Sequence, residues 1–280
     1  MITFAAPDGT ELVCHIRGSG PPLVCLPGGP MRASAYLGDL GGLSAHRTLH
    51  LLDLRGTGGS AAPADAATYR CDRQVDDVEA LRARLGLDRM DVLAHSAGGD
   101  LAARYAAAHP GRIDRMVLVT SAQRALGLRA GIEDRREAAR LRAHEPWFEA
   151  ANAEYEKMLA GRADADYLYD AFFYGRWDAR AQAHAALTDE QTNEEAEALY
   201  FSEGACDPPA TRAALSRLTA PVLLLAGELD GGPRPALVHR AAAHYPHARV
   251  VVQPGAAHYP WLDDPEFFTS RVRRFLAAPR

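Results

Sequence analysis

The chain has 280 residues, of which 48% are hydrophobic and 24% charged, enough for one large core or a core domain carrying an insertion. A net charge of −5 and a pI near 6.1 argue against a nucleic-acid partner, which selects for a basic face. No apolar run approaches the roughly 20 residues of a membrane helix, and the opening MITFAAPDGTEL lacks the basic and apolar regions of a signal peptide, which predicts a cytoplasmic protein without membrane contact.

Residues 2–6 and 11–17 read as two strands around a turn at Asp8-Gly9. The run Pro22 to Leu26 is a buried strand that ends in Pro27-Gly28-Gly29-Pro30, and Thr48 to Leu54 is another, stopped by Arg55-Gly56-Thr57-Gly58-Gly59-Ser60. Val75, Val78, Leu81 and Leu85 lie at helical spacing within 72–86, and Gly86 closes that helix. A strand over Met90–Ala94 leads into a helix over Gly98–His109, and residues 115–120 form the next strand. From Ser121 to about Leu218 the chain is rich in Ala, Arg, Glu and aromatics and reads as amphipathic helices without a strand. Strands then return at 222–226 and 249–253, each followed by a helix, at 235–245 and 265–277. Continuous apolar strands alternating with helices predict an α/β fold with a mostly parallel sheet covered on both faces. Residues 1–121 and 219–280 would form its core and residues 122–218 a helical lid.

Four cysteines, Cys14, Cys25, Cys71 and Cys206, show no CxxC pair and no metal-ligand spacing, and read as reduced thiols. No metal or organic cofactor is implied. Lys157 is the one lysine, and the arginine and alanine excess reads as GC-rich coding.

The strongest local motif is Ala94-His95-Ser96-Ala97-Gly98-Gly99, between a strand and a helix. It matches G-x-S-x-G with alanine in the first glycine position. A serine on a sharp strand-to-helix bend needs small residues two before and two after it. The bend exposes its hydroxyl and sets the Ala97 N–H at a helix N-terminus, where an oxyanion would bind. The alternative for such a hexapeptide is a serine N-cap of an ordinary helix. The glycine pair at 28–29 allows close backbone approach and makes the Gly29 N–H the second candidate oxyanion donor. Asp230, in Gly227-Glu228-Leu229-Asp230, and His258, in Gly255-Ala256-Ala257-His258, each follow a strand. Either alone is weak. Their order after Ser96 (serine, acid, histidine) is that of one hydrolase plan. His258 would take the serine proton and Asp230 would orient the imidazole. Glu228 is the rival acid, ranked behind because less loop carries it toward the histidine.

These segments, with Asp53-Leu54-Arg55-Gly56-Thr57-Gly58-Gly59-Ser60, resemble the α/β-hydrolase superfamily, and most closely proline iminopeptidases and related esterases. The resemblance implies that Asp53, Arg55 and Ser60 tie the loop after the fourth strand, and that the lid shapes the substrate pocket. Pro27 and Met31 stand where that family often has histidine and glycine. Phe173, Trp177 and Tyr200 are candidate apolar walls for a small-molecule or short-peptide substrate, although packing of the lid is the commoner use of such aromatics. The resemblance also implies a lid carboxylate for a substrate amine, with Glu203 first and Glu194, Glu195 and Glu197 as alternatives. The expected function is hydrolysis of an ester or amide through an acyl-enzyme, with an aminopeptidase acting on N-terminal proline as its sharpest form. Two alternatives are a non-hydrolytic enzyme on the same triad (lyase, cyclase or acyl transfer) and a ligand-binding protein that keeps the fold. Oligomeric state is not legible.

Overall fold

A computed structural model describes residues 1–278. Its centre is one eight-stranded sheet, β1 (Ile2–Ala5), β2 (Glu11–Arg17), β3 (Pro22–Leu26), β4 (Thr48–Leu52), β5 (Met90–His95), β6 (Ile113–Val119), β7 (Val222–Gly227) and β8 (Ala248–Gln253). The strand order is β1-β2-β4-β3-β5-β6-β7-β8. β1 and β2 pair antiparallel at one edge, β2 meets β4 antiparallel, and every other pair is parallel.

Side-chain alternation divides the core into two layers, because successive strand residues face opposite sides of a sheet. Val24, Leu26, Leu52, Val92, Ala94, Leu118 and Leu224 fill one face; Leu23, Cys25, Leu51, Leu93, Val117, Val119 and Leu225 fill the other. Both layers are buried, which is why the central strands read as continuous apolar runs. Strand β8 lies at an edge and keeps Val250, Val251 and Val252 only partly covered.

The expected elements are present with small shifts at their ends. β4 stops at Leu52 because Asp53 turns to serve the loops: its carboxylate accepts hydrogen bonds from the Ser34 N–H and hydroxyl and from the Gly59 N–H. Arg55 makes a two-pronged pair with Asp77 and a third bond to Asp8, while the Ser60 hydroxyl donates to the Asp53 carbonyl and accepts from Val13. These contacts hold the loop after β4 in place. The first expected helix begins at Val75, since the residues before it are diverted: the Cys71 N–H bonds to Tyr200 and the Gln74 amide to Tyr69.

Between β6 and β7 the chain is helical, with helices at Ile132–Arg140, Phe148–Leu159, Ala179–Ala185, Glu194–Tyr200 and Pro208–Leu215 among others. Asp178, Asn193 and Asp207 cap three of these by accepting first-turn N–H bonds. Part of this insertion has its own apolar cluster around Tyr155, Ala171 and Phe172, whereas Ala196, Tyr200 and Leu215 join the sheet's core. A single-residue bridge from Arg32 to Thr192 ties it to the turn after β3. No helix among the described residues is long and apolar enough to cross a membrane.

Candidate active site

Ser96 follows β5 and precedes the helix Gly98–Ala108, with φ at 51°, a left-handed value uncommon for serine. The surroundings leave no room for larger neighbours. A Cβ on Gly98 would lie 2.7 Å from the Leu26 carbonyl oxygen, and one on Gly28 would lie 2.7 Å from Ser96 Cβ. Ala94, in contrast, fits fully buried within β5, so the motif tolerates alanine two residues before the serine.

The turn after β3 runs beside this bend, and Gly29 has φ of 118°, open to glycine. The Gly28 N–H is engaged by the Tyr36 hydroxyl at 2.7 Å. No hydrogen bond among the described residues engages the N–H of Gly29 or of Ala97, and both residues line the cavity beside Ser96.

His258 Nδ1 lies 2.8 Å from Asp230 Oδ2. Asp230 is 1% exposed and its other oxygen accepts the Gly232 N–H at 2.8 Å. Glu228, the rival acid, is exposed and accepts the Gly255 N–H instead, bracing the loop that carries the histidine. Ser96 and His258 line the same cavity, of about 440 Å³, and no hydrogen bond joins the serine hydroxyl to the imidazole.

The backbone of His258 is held at both ends. Its N–H donates to the Phe173 carbonyl in the insertion, and its carbonyl accepts from the Thr120 hydroxyl and from His95 Nε2 at 2.9 Å. A carbonyl can only accept, so Nε2 carries the His95 proton and Nδ1 must accept; its partner, at 2.7 Å, is the Tyr36 hydroxyl. Burial holds the His95 pKa well below its ordinary value, which keeps the ring neutral as this pattern requires. A chain of hydrogen bonds thus runs from the Gly28 N–H through Tyr36 and His95 to His258. Asp263 adds another brace: its two oxygens accept from Ala257 in the histidine loop and Gly175 in the insertion.

Of the four insertion residues expected to meet substrate, Phe173 lines the cavity. The other three require correction. Tyr200 is 1% exposed and packs beneath the site, with its hydroxyl directed at the Ala97 carbonyl. Trp177 packs on Tyr174 and lines a separate groove with Asp166, Leu168 and Gln182. Glu203 is exposed on the turn after the helix Glu194–Tyr200, because Tyr200 and Phe201 take the inward positions and the following polar residues face water. The neighbouring Phe201 lines the cavity in their stead. Residues 124, 129 and 135 of the lining, all arginine, were not foreseen; they sit in a stretch whose pattern marks no buried face. Glu194 and Glu197 line a smaller cavity of about 260 Å³ on the other side of Gly29, with Asp189 and Arg32.

Known proteins place this architecture. A family model described as alpha/beta hydrolase fold matches residues 21–265. A proline iminopeptidase of Heyndrickxia coagulans is 35% identical over 101 residues, 36% of this chain and 35% of that protein. The chain thus spans about a third of the length of that curated relative. A pimeloyl-[acyl-carrier protein] methyl ester esterase of Nitrosomonas europaea is 29% identical over 266 residues, covering 91% of this chain and 96% of that one. Among solved structures, an esterase from Rhodococcus sp. superposes with a TM-score of 0.75 at 26% identity, over 99% of this chain and 98% of the other. With the family's pattern running from β3 to the start of the last helix and the same sheet beneath it, the chain belongs to the alpha/beta hydrolase fold family.

Proposed function

We propose that the protein is a serine hydrolase that cleaves an ester through an acyl-enzyme. The observation that carries this reading is the meeting, in one cavity, of a serine on a left-handed bend, an imidazole bonded to a buried carboxylate, and two unengaged backbone N–H groups. Asp230 accepts a hydrogen bond from the Nδ1–H of His258 and stays ionised, which leaves Nε2 as the proton acceptor. Nε2 removes the Ser96 proton as Oγ attacks the carbonyl. The N–H groups of Ala97 and Gly29 bind the oxyanion of the tetrahedral intermediate. The imidazolium then protonates the leaving alcohol, and water, deprotonated by the same nitrogen, releases the acid. Esterase relatives spanning nearly the whole chain support the ester form.

A second reading, an aminopeptidase releasing N-terminal proline, draws on the iminopeptidase similarity and on the carboxylates of Asp189, Glu194 and Glu197 beside Gly29, which would hold a substrate amine. The experiment is fluorophosphonate labelling with mapping of the adduct, together with turnover of 4-nitrophenyl acetate and proline 2-naphthylamide by wild type and Ser96→Ala. Labelling at Ser96 and loss of turnover by at least about 10³-fold are expected. Turnover that survives Ser96→Ala removes the proposed nucleophile. Proline release without ester cleavage would select the second reading.

A further inference from the structure

The active cavity has an electrostatic character that its catalytic groups do not need. Arg124, Arg129 and Arg135 all line it, and no Asp or Glu does. Among the described residues, none of the three has a carboxylate within ion-pair distance. On the helix Ile132–Arg140, which carries Arg135, the neighbouring arginines behave otherwise: Arg136 pairs with Glu133 and Glu156, and Arg140 with Glu133. Arg124 instead lies over the Phe201 ring, 4.3 Å from its centroid. Two buried carboxyls lie behind the lining: Asp230 is bonded to His258 and Gly232, and Asp100 accepts the Ala125 N–H. Burial pushes the pKa of Asp100 up to about 7, so at neutral pH it carries only part of a charge.

Three guanidiniums around one cavity repel one another. Arg124, which is exposed to solvent, has its pKa lowered by desolvation first and then by the charge of Arg129, with Asp100 and Cys206 opposing and Arg135 adding a smaller lowering. Natural surfaces usually relieve such crowding with interspersed acids, as this chain does with Glu133 and Glu156 around Arg136 and Arg140. A cluster left uncompensated at a concave site is relieved by a bound anion, and the planar guanidinium fork suits carboxylate and phosphate oxygens.

Building on the serine-hydrolase reading, we propose that the substrate carries an anionic group, carboxylate or phosphate, which Arg124, Arg129 and Arg135 hold while its ester carbonyl sits at Ser96. The anion binds at the arginine side of the cavity, in the acyl or the alcohol portion of the substrate. The aromatic faces of Phe173 and Phe201 cover the apolar stretch between.

The test compares charged and neutral esters matched in length. Mono(4-nitrophenyl) adipate is set against 4-nitrophenyl hexanoate for the acyl side, and 4-acetoxybenzoate against 4-methylphenyl acetate for the alcohol side. The readout is the ratio of kcat/KM, anionic over neutral, in wild type and in R124Q, R129Q and R135Q; comparing ratios between variants cancels intrinsic reactivity. For one of the two pairs the ratio is expected to fall about 10-fold or more per substitution, the worth of a charge-assisted bond. KM for that anionic ester should also rise steeply with ionic strength in wild type, a measurement that needs no variant. Inorganic phosphate, tried as a competitor of the neutral ester, covers the phosphate case: competition lost in R124Q supports the site. Fluorophosphonate labelling of each variant verifies that the site is folded. Ratios unchanged in all three variants, with no competition by phosphate, overturn the anion site while leaving the esterase reading intact. Absence of labelling in wild type overturns the esterase reading itself.

Discussion

Asp100 shows how a single residue in this fold can be out of balance. It lies in the first turn of the helix that starts behind Ser96, and one of its oxygens, Oδ2, is buried without a partner. Burial raises its pKa from 3.8 to about 7, so the folded state holds the proton more tightly than the unfolded chain. A raised carboxyl contributes stability that is complete below pH 3.8 and is lost as pH climbs toward 7. Asp100→Asn fixes the neutral form. It is expected to raise stability by about 1–3 kcal/mol at pH 8 and to leave it nearly unchanged at pH 4, measured by urea unfolding at the two values. Equal effects at both pH values would show that the residue is not held near neutrality. The same scale separates the candidate acids: Asp230 and Glu228 differ by two positions in sequence, yet one meets the imidazole and the other braces the loop.

At the scale of elements, the site is built by three strand ends and the links between them. The turn after β3, the bend after β5 and the loop after β8 are joined through Tyr36 and His95, which stand behind the cavity lining and are not part of it. Tyr36→Phe deletes one hydroxyl and leaves both the Gly28 N–H and the His95 Nδ1 unpaired inside the protein. A loss of about 1–3 kcal/mol is expected, since an unsatisfied buried group keeps its full desolvation cost. Because His95 steadies the carbonyl of His258, kcat is expected to fall about 10-fold with a smaller change in KM. Steady-state kinetics with a chromogenic ester and thermal denaturation check both effects. A variant with wild-type kcat would detach the chain of hydrogen bonds from the catalytic geometry.

Across the whole molecule, stability rests on a sheet buried on both faces, and position within that sheet decides the weight of each side chain. Leu224 in β7 is 1% exposed and packs in the layer that includes Leu118 and Ala226. Leu224→Ala is expected to cost about 2–5 kcal/mol through lost burial and the cavity left behind. Val250, on the edge strand β8 and partly exposed, should cost about 1 kcal/mol when changed to alanine. Urea denaturation of the two variants gives the comparison. The insertion, in turn, is bound to the sheet domain at several separate points: Phe173 to His258, Asp263 to Gly175, and Arg32 to Thr192. This anchoring explains how a segment between β6 and β7 furnishes walls to a cavity at the ends of β3 and β5.

The sequence alone determined the α/β alternation and pointed to Ser96, Asp230 and His258 as candidates, because buried parallel strands leave continuous apolar runs and tight bends demand small residues at set spacings. Gly28 and Gly98 are legible in the same way, as places where a Cβ finds backbone or side-chain atoms within 3 Å. Tertiary structure decided what lines the cavity. Within the helical insertion, an aromatic packs inward equally well as core or as pocket wall, so sequence pattern does not separate Tyr200 from Phe201 or Trp177 from Phe173. Nor does it mark Arg124, Arg129 and Arg135 among so many arginines. Their common feature is the acid that each lacks, and a missing partner is visible only when the chain is folded.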